Sequence, residues 1–456
     1  MRRSMHPLRA SGSSYTPTMS APTVWLETLG CSKNQVDSDK IIAALGEFGY
    51  GDASEPESAD VVMVNTCAFI EDARRESVDT ILGLAEAKRG NAKLVVMGCM
   101  AQRYEQELIE ALPEADAVIG LDRYPELIDK LDAITGWQPV SFTGLRRSHM
   151  DILEAVNRPT PSTPFAYVKV AEGCGKTCAF CAIPLIRGEQ RSRARQGVVA
   201  EIEGLVAAGV QEVVLVAQDL AAYGRDNDAG SIEHLVEQAA SVENLGRLRL
   251  YYLYPREIRQ GLIDIMSGHE VIADYFDLSL QHSSPKLLRS MRRPGSGDRH
   301  LALIERIRTA APQAATRSSF IVGYPGETDD DVDGLAEFLG TAELDWAGFF
   351  PYSAEDGTDA AKMPDQVPGE LISERLRHLQ RIQDDMTTAK NLAAVGRTLE
   401  VLVDQVEEGQ AVGRSYREAP EIDGMILLDR GSVGEWVTAS IDGAYGTDLS
   451  ASVVGP

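Results

Sequence analysis

Ten short apolar runs, most of them followed by a stretch with helical periodicity, fill residues 24–353, and no other feature narrows the fold as much. The first four are VWLETLG, ADVVMVNT, KLVVMG and ADAVIG, with amphipathic segments such as Asp37 to Phe48 between them. Strands alternating with helices predict a parallel sheet joined by crossover helices. Pro159, Pro161 and Pro164 then crowd into a linker. Six further runs follow: FAYVKVAEG, EVVLVAQ, RLRLYYLY, YFDLSL, TRSSFIVG and WAGFFPYS. Six β/α repeats fall short of the eight of a full TIM barrel, so a partial, open barrel is expected. After a helical stretch from about Glu370 to Leu392 the pattern turns to short strands with Gly and Asp turns, EVLVDQVEEGQAVGRS, GMILLDR and WVTASIDGAYGTDL, which predict a small all-β barrel.

The expected fold class is therefore α/β. A parallel-sheet domain is expected at residues 21–150, a linker at 151–164, the partial (β/α) barrel at 165–390 and the all-β barrel at 391–456. Residues 1–20 are rich in Ser and Pro and carry Arg2, Arg3 and Arg9 without an acid, so a disordered tail is expected there.

Lys and Arg number 44 against 69 Asp and Glu, a net charge of −25 that disfavours phosphate backbones and anionic lipid. No apolar run is long enough to span a membrane and no secretory apolar stretch opens the chain, so the expected location is the cytoplasm, with no membrane partner. Six cysteines are too few for a disulfide framework in a chain of this length; in a reducing compartment they point to metal ligation or catalysis.

Cys174, Cys178 and Cys181 form C-x3-C-x2-C on the loop after the first barrel strand, where such folds carry their chemistry. Three thiolates satisfy three irons of a 4Fe-4S cluster and leave the fourth open. Zinc is the competing metal, but it takes four ligands and the chain has no second C-x2-C knuckle. Cys31, Cys67 and Cys99 each stand just past the carboxyl end of a predicted strand and ahead of a helix. Dispersed cysteines are more often inert core residues. Their common placement favours ligands instead, because neighbouring strand ends converge on one crevice and helix N-termini favour thiolates. No Walker loop and no Ser/His/Asp signature is present.

C-x3-C-x2-C with the aromatic Phe180 before the last cysteine resembles the signature of radical S-adenosylmethionine enzymes. The resemblance implies an open iron that chelates the methionine moiety and a reduced cluster that cleaves the sulfonium to a 5′-deoxyadenosyl radical. Together with LGCSKNQVDSD, VNTCAFI, MGCMAQRY, EGCGKTCAFCAIP, RGEQRSR, FIVGYPGET and YSAEDGT, residues 24 to 450 resemble the methylthiotransferases. That family resemblance implies two 4Fe-4S clusters, the first on Cys31, Cys67 and Cys99 and the radical-generating one on Cys174, Cys178 and Cys181. It also implies two equivalents of S-adenosyl-L-methionine, a low-potential electron donor such as flavodoxin or ferredoxin, and an OB-like TRAM barrel at the C-terminus. Gln218 and Asp219, ending the second barrel strand, and Gln281, ending the fourth, are expected to bind the cofactor, although polar strand-end turns need no ligand. His282 is a candidate proton shuttle, the turn Gly323 to Glu327 a candidate adenine lining, and Arg191 and Arg193 candidate carboxylate binders, each with an ordinary structural alternative.

Members of this family differ in substrate: an adenosine of transfer RNA, or the β-carbon of an aspartate in the S-twelve protein of the small ribosomal subunit. Residues 391–456 hold four arginines and eleven acids. Such a surface repels phosphate and attracts a basic protein, with Glu418, Glu421 and Asp423 expected among the steering charges; a merely solvated surface accounts for the count about as well. The stretches GRSYREAPEIDG and LSLQHSSPKLLRSMRRP also resemble the ribosomal-protein enzymes. The expected reaction therefore gives 3-methylthioaspartate in S-twelve, with transfer RNA as the alternative substrate. A non-catalytic metal-bearing, RNA-binding scaffold is the alternative of another class.

Overall fold

The structure, a computed structural model, describes residues 21–137, 149–154 and 158–455; the tail expected over 1–20 lies outside them. The first four apolar runs become strands of one parallel sheet. Strands β1 (Thr23–Thr28), β2 (Gly51–Asp52), β3 (Val61–Thr66), β4 (Lys93–Gly98) and β5 (Ala117–Ile119) lie in the order β2-β1-β3-β4-β5. Every residue of β3 is buried, as a central parallel strand covered on both faces requires, so its run shows no alternation. The two-residue β2 is too short for a sequence pattern to signal. Helices α1 (Ser32–Glu47), α2 (Glu71–Ala87) and α3 (Cys99–Ala111) cross between strands, and α4 (Leu127–Thr135) and α5 (His149–Glu154) follow. Helix α1 starts five residues before the amphipathic segment expected from Asp37, because its first turn is buried through the polar Lys33 and Asn34, which apolar periodicity does not register. Ile152 and Leu153 of α5 are buried, so the stretch expected as linker begins packed.

The next six runs form β6 (Phe165–Lys169), then, beyond a two-residue antiparallel pair β7 (Ala171–Glu172) and β8 (Arg191–Ser192), strands β9 (Glu212–Val216), β10 (Arg247–Leu250), β11 (Tyr275–Gln281), β12 (Ala315–Val322) and β13 (Trp346–Pro351). Helices α6 (Ile183–Arg187), α7 (Arg195–Ala207), α8 (Ile232–Ala240), α9 (Gln260–Gly268), α10 (Pro285–Ser290), α11 (Gly297–Ala310) and α12 (Asp329–Ala342) lie between them, and α13 (Gly369–Ala394) follows β13. Two parallel sheets, β10-β9-β6 and β11-β12-β13, are joined by the bridges Leu248 to Ile272 and Leu253 to Leu278. Among the described residues β6 and β13 do not pair, so the barrel stays open on one side.

The N-terminal domain ties itself to both free edges. On the β6 side, α1 supplies Lys40, whose ammonium meets Glu201 of α7 at 2.8 Å, and Asp37, which pairs with Lys169 of β6; all four side chains are buried. Past β13, Glu355 receives Arg74 of α2 and Arg103 of α3, each at 2.5 Å.

Strands β14 (Thr398–Glu407), β15 (Gln410–Arg414), β16 (Ile426–Leu428), β17 (Trp436–Tyr445) and β18 (Asp448–Val453) close a five-stranded barrel in the order β14-β15-β16-β18-β17. Its segment 414–423 caps the end of the open barrel where the strands begin. Arg414 meets Glu212, the first residue of β9, at 2.9 Å; Tyr275, the first of β11, donates to Asp423 at 2.6 Å; Trp346, the first of β13, donates to the Arg417 carbonyl at 2.8 Å. This corrects the expected role of the acids there. Glu418 is buried and accepts from Ser415, Asp423 is buried against Tyr275 and Arg317, and Glu421, though exposed, accepts from Tyr167 at 2.7 Å. Their charges face the molecule's own arginines and tyrosines. The exposed acids of this barrel also include Glu400, Glu407, Glu408, Asp429, Glu435 and Asp442, and of its four arginines only Arg430 is exposed. The surface is acidic, through other residues than the three expected.

Candidate active site

Cys31, Cys67 and Cys99 follow the carboxyl ends of the adjacent strands β1, β3 and β4, as the runs before them imply. Two glycines let the sulfurs come together. Gly30 (φ +91°) lies so close that an added Cβ would stand 2.7 Å from Cys67 Cβ and 2.8 Å from its sulfur; at Gly98 (φ +92°) it would stand 2.2 Å from Asn65 Oδ1. Both positions need the left-handed freedom and the missing side chain. Cys31 is the N-cap of α1 and Cys99 the first residue of α3, at the positive ends of those helices. Asn34, in the first turn of α1, donates to the carbonyls of Leu29 (2.8 Å) and Thr66 (3.2 Å) and so pins the two strand ends together.

The three thiols differ in charge environment. Burial pushes Cys67 up to about 12, with Cys99 and Cys31 adding repulsion. Burial also raises Cys99, against the pull of Arg187. Cys31 is exposed as a residue; packing around its sulfur opposes ionisation, but Lys33 and Arg187 prevail and hold it below the ordinary thiol value. Three sulfurs that repel one another when ionised are suited to a cation or cluster that displaces their protons. Among the described residues no three ligand side chains converge on the position of a single metal ion.

The second set lies between β7 and α6. The backbone at Gly173 (φ +71°) crosses so close to the returning chain that a Cβ would stand 2.2 Å from the Glu189 carbonyl oxygen. The Cys174 amide donates to the Gly188 carbonyl at 3.1 Å, so the loop closes on itself. Arg293 faces the Cys178 sulfur at 3.5 Å and also donates to the Ser279 carbonyl on β11, tying the loop to the barrel. Burial raises Cys174 and pushes Cys181 to about 12, where Cys178 and Cys174 add to it.

Gln218 and Asp219 stand beside this loop. Among the described residues neither carboxylate oxygen of Asp219 nor the Oε1 of Gln218, all buried, falls within hydrogen-bond geometry of a donor, and Lys176 faces Asp219 at 3.5 Å. Burial raises the Asp219 carboxyl, and Cys174 feels its charge. Buried acceptors left open beside three thiols fit a ligand that brings donors, such as an ammonium or ribose hydroxyls. Gln281 ends β11 at φ +69°, an uncommon conformation for a residue other than glycine.

The weaker candidates divide. His282 is buried, accepts at Nδ1 from the Ser283 and Ser284 amides, and turns Nε2 to Glu327 at 3.6 Å. The Glu327 carboxylate is taken by the Gly323 amide and by Arg375 at 2.9 Å, so the GYPGE turn caps itself. Arg193 is buried against Glu201 at 2.7 Å, while Arg191 is exposed. Arg193 therefore meets an acid of the barrel's own helix α7.

The structure adds Arg187, Glu172 and Asn34. Arg187 ends α6, six residues after Cys181, and is buried. It donates to Asp37 (3.0 Å), to Glu172 (2.9 and 3.1 Å) and to Asn34 Oδ1 (2.6 Å), the oxygen that stands 3.7 Å from the Cys99 sulfur. The available signal is an arginine closing the short apolar helix after the last cysteine, but its partner Asn34 lies 153 positions away.

Three family descriptions match the chain: Uncharacterized protein family UPF0004 over residues 23–120, Radical SAM superfamily over 168–339 and TRAM domain over 395–454. The ribosomal protein uS12 methylthiotransferase RimO of Kineococcus radiotolerans is 40% identical, covering 94% of this chain and 96% of that protein. The protein of the same name from Moorella thermoacetica is 42% identical over 92% of this chain and 96% of its own length. Among solved structures, the radical S-adenosylmethionine methyltransferase TsrM from Kitasatospora setae, with cobalamin and a [4Fe-4S] cluster bound, superposes with a TM-score of 0.51 at 15% identity, covering 73% of this chain and 75% of that one; this likeness is one of fold.

Proposed function

Since the chain belongs to the RimO family of ribosomal protein uS12 methylthiotransferases, we propose that it places a methylthio group on the β-carbon of an aspartate of uS12, using two 4Fe-4S clusters and two equivalents of S-adenosylmethionine. Helix α6 carries this reading. Cys181 stands just before it and Arg187, at its end, lies beside Asn34 and Cys99. A five-residue helix, about 8 Å of axis, therefore leads from the second cysteine set to the arginine that reaches toward the first. When bound, a cluster on Cys174, Cys178 and Cys181 supplies the electron that cleaves the sulfonium, and one on Cys31, Cys67 and Cys99 supplies the sulfur.

The chain's own residues do the positioning. Asp219 and Gln218 offer acceptors to the cofactor's ammonium or ribose. Glu355, gripped by Arg74 and Arg103, holds the N-terminal sheet against the barrel and keeps the two sets at a fixed separation. The acidic face of the C-terminal barrel, with Arg430 as its exposed arginine, favours a basic protein over transfer RNA. A low-potential protein such as flavodoxin or ferredoxin delivers the electrons, in the cytoplasm.

The test is chemical. Anaerobically purified protein should hold about eight irons with matching sulfide, and with reductant and S-adenosylmethionine should convert uS12 to a form heavier by a methylthio group, located by mass spectrometry on an aspartate. Methylthiolated adenosine in transfer RNA with unmodified uS12 would overturn the substrate; zinc without iron would overturn the enzyme.

A further inference from the structure

We propose that Arg187 is a positioning residue that sets the reduction potential of the cluster held by Cys31, Cys67 and Cys99, and that it belongs at once to both cysteine sets. The inference rests on the cluster reading above.

The side chain is 2% exposed and both of its terminal nitrogens are engaged. Nη1 is shared between Asp37 of α1 and Glu172 of β7, and Nη2 is spent on Asn34. Lys169 pairs with the same two acids, meeting Glu172 at 2.6 Å, so the buried set of Lys169, Arg187, Asp37 and Glu172 is balanced in charge without any thiolate. An anionic cluster added beside it upsets that balance, and Arg187 is the member of this set whose charge falls on Cys99 and, together with that of Lys33, on Cys31. Hydrogen bonds and positive charge next to cluster sulfurs stabilise the reduced, more negative state and raise the potential. Asp37 acts in the opposite sense, since its carboxylate repels the Cys99 sulfur.

The same guanidinium reaches the cofactor side. Glu172, which it holds, lies 3.4 Å from the Gln218 amide nitrogen, two residues past the end of β9. Gln218, Glu172, Arg187 and Asn34 thus form a continuous polar chain from the proposed cofactor acceptors to Cys99, drawn from the turn after β9, from β7, from α6 and from α1. An arginine serving only to neutralise Asp37 and Glu172 would not need Asn34.

The measurement is a redox titration of the full-length reconstituted protein followed by electron paramagnetic resonance. The radical-generating cluster is recognised by the change in its signal on adding S-adenosylmethionine. Arg187→Gln should lower the midpoint of the insensitive cluster enough to change its oxidised-to-reduced ratio at a fixed potential by about tenfold, roughly 59 mV for one electron. Arg187→Lys should shift it less in the same direction, and Asp37→Asn should shift it upward. The sensitive cluster should move less in each. A role confined to folding predicts no opposite shifts. Unchanged midpoints in all three variants, or shifts of one sign in all, overturn the proposal; should Arg187→Gln fail to hold a cluster, the Lys and Asn variants decide by the same criterion. A wild-type protein with about four irons and only the sensitive signal would instead defeat the cluster reading and the proposal with it.

Discussion

At the scale of single residues, the two cysteine sets should separate by readout. Changing Cys174, Cys178 or Cys181 to Ala is expected to abolish formation of 5′-deoxyadenosine, because on the proposed reading a thiolate is lost from the cluster that would deliver the electron. Changing Cys31, Cys67 or Cys99 should abolish methylthiolated product while leaving part of that cleavage; equal loss in both groups would show that the sets do not divide the work. Asp219 allows a test with two opposite signs. Its carboxylate is buried facing the Lys176 ammonium at 3.5 Å, and burial outweighs that pull and raises its pKa, so Asp219→Asn should not lower, and is expected to raise, the thermal stability of the protein without cofactor. The same change removes the charge that would meet an ammonium or ribose donor, worth about 1.5–3 kcal/mol, so affinity for S-adenosylmethionine should fall about tenfold or more in equilibrium binding. Unaltered affinity would remove Asp219 from the cofactor site. The cysteines and the strand-end residues were legible because motif spacing and strand periodicity are local properties. Arg187 and Glu355 were not, since each acquires its role from side chains more than 100 positions away.

At the scale of elements, the segment between β15 and β16 shows how composition misleads about surface. Its acids add to a charge count in the sequence, yet Glu418 and Asp423 are buried among arginines and tyrosines at the strand beginnings of the open barrel. The alternating strands of β14 and β17 were readable, because one face packs inside the closed barrel and the other is solvated. A plug that docks on another domain has no period, so nothing in 414–423 announced it. Glu212 anchors that docking: burial opposes its charge, but Arg414, Arg249 and Arg247 together bring it down to about 2 from an ordinary 4.5. A depressed carboxyl adds stability that is complete above the unfolded value and lost as pH falls from about 4.5 through 2, worth about 3 kcal/mol in all. Glu212→Gln should therefore destabilise the protein by about 3–5 kcal/mol at neutral pH, since three buried guanidiniums lose their shared counter-charge. Denaturant unfolding at pH 7 and pH 3 checks it: the gap between wild type and variant should narrow at the lower pH, and a constant gap would contradict the charge explanation.

At the scale of the whole molecule, the two outer domains attach to the open barrel at opposite places: the N-terminal sheet at its free edges, the C-terminal barrel at the end where the strands begin. Removing residues 391–456 would uncover Glu212, Arg247, Arg249 and Tyr275, so truncation tests folding as much as recognition. Recognition has to be tested on side chains that hold nothing together. Glu400, Glu407 and Glu408 on and just beyond β14 are exposed, and among the described residues none makes a hydrogen bond or ion pair through its side chain. Reversing all three to Lys moves the local charge by six units without touching the docked segment. If this acidic face steers a basic ribosomal protein, the variant should bind purified uS12 with an association rate lower by about tenfold at low salt, with little change in dissociation. The difference should shrink as salt shortens the Debye length from about 10 Å at 0.1 M to about 3 Å at 1 M. Cleavage of S-adenosylmethionine without substrate should be unaffected, because the reversed residues belong to a domain that carries none of the six cysteines. Association rates for uS12 and for transfer RNA, each at two salt concentrations, separate the cases. Equal uS12 rates for both proteins would leave the acidic face a matter of solubility, and productive wild-type binding of transfer RNA would make adenosine the substrate.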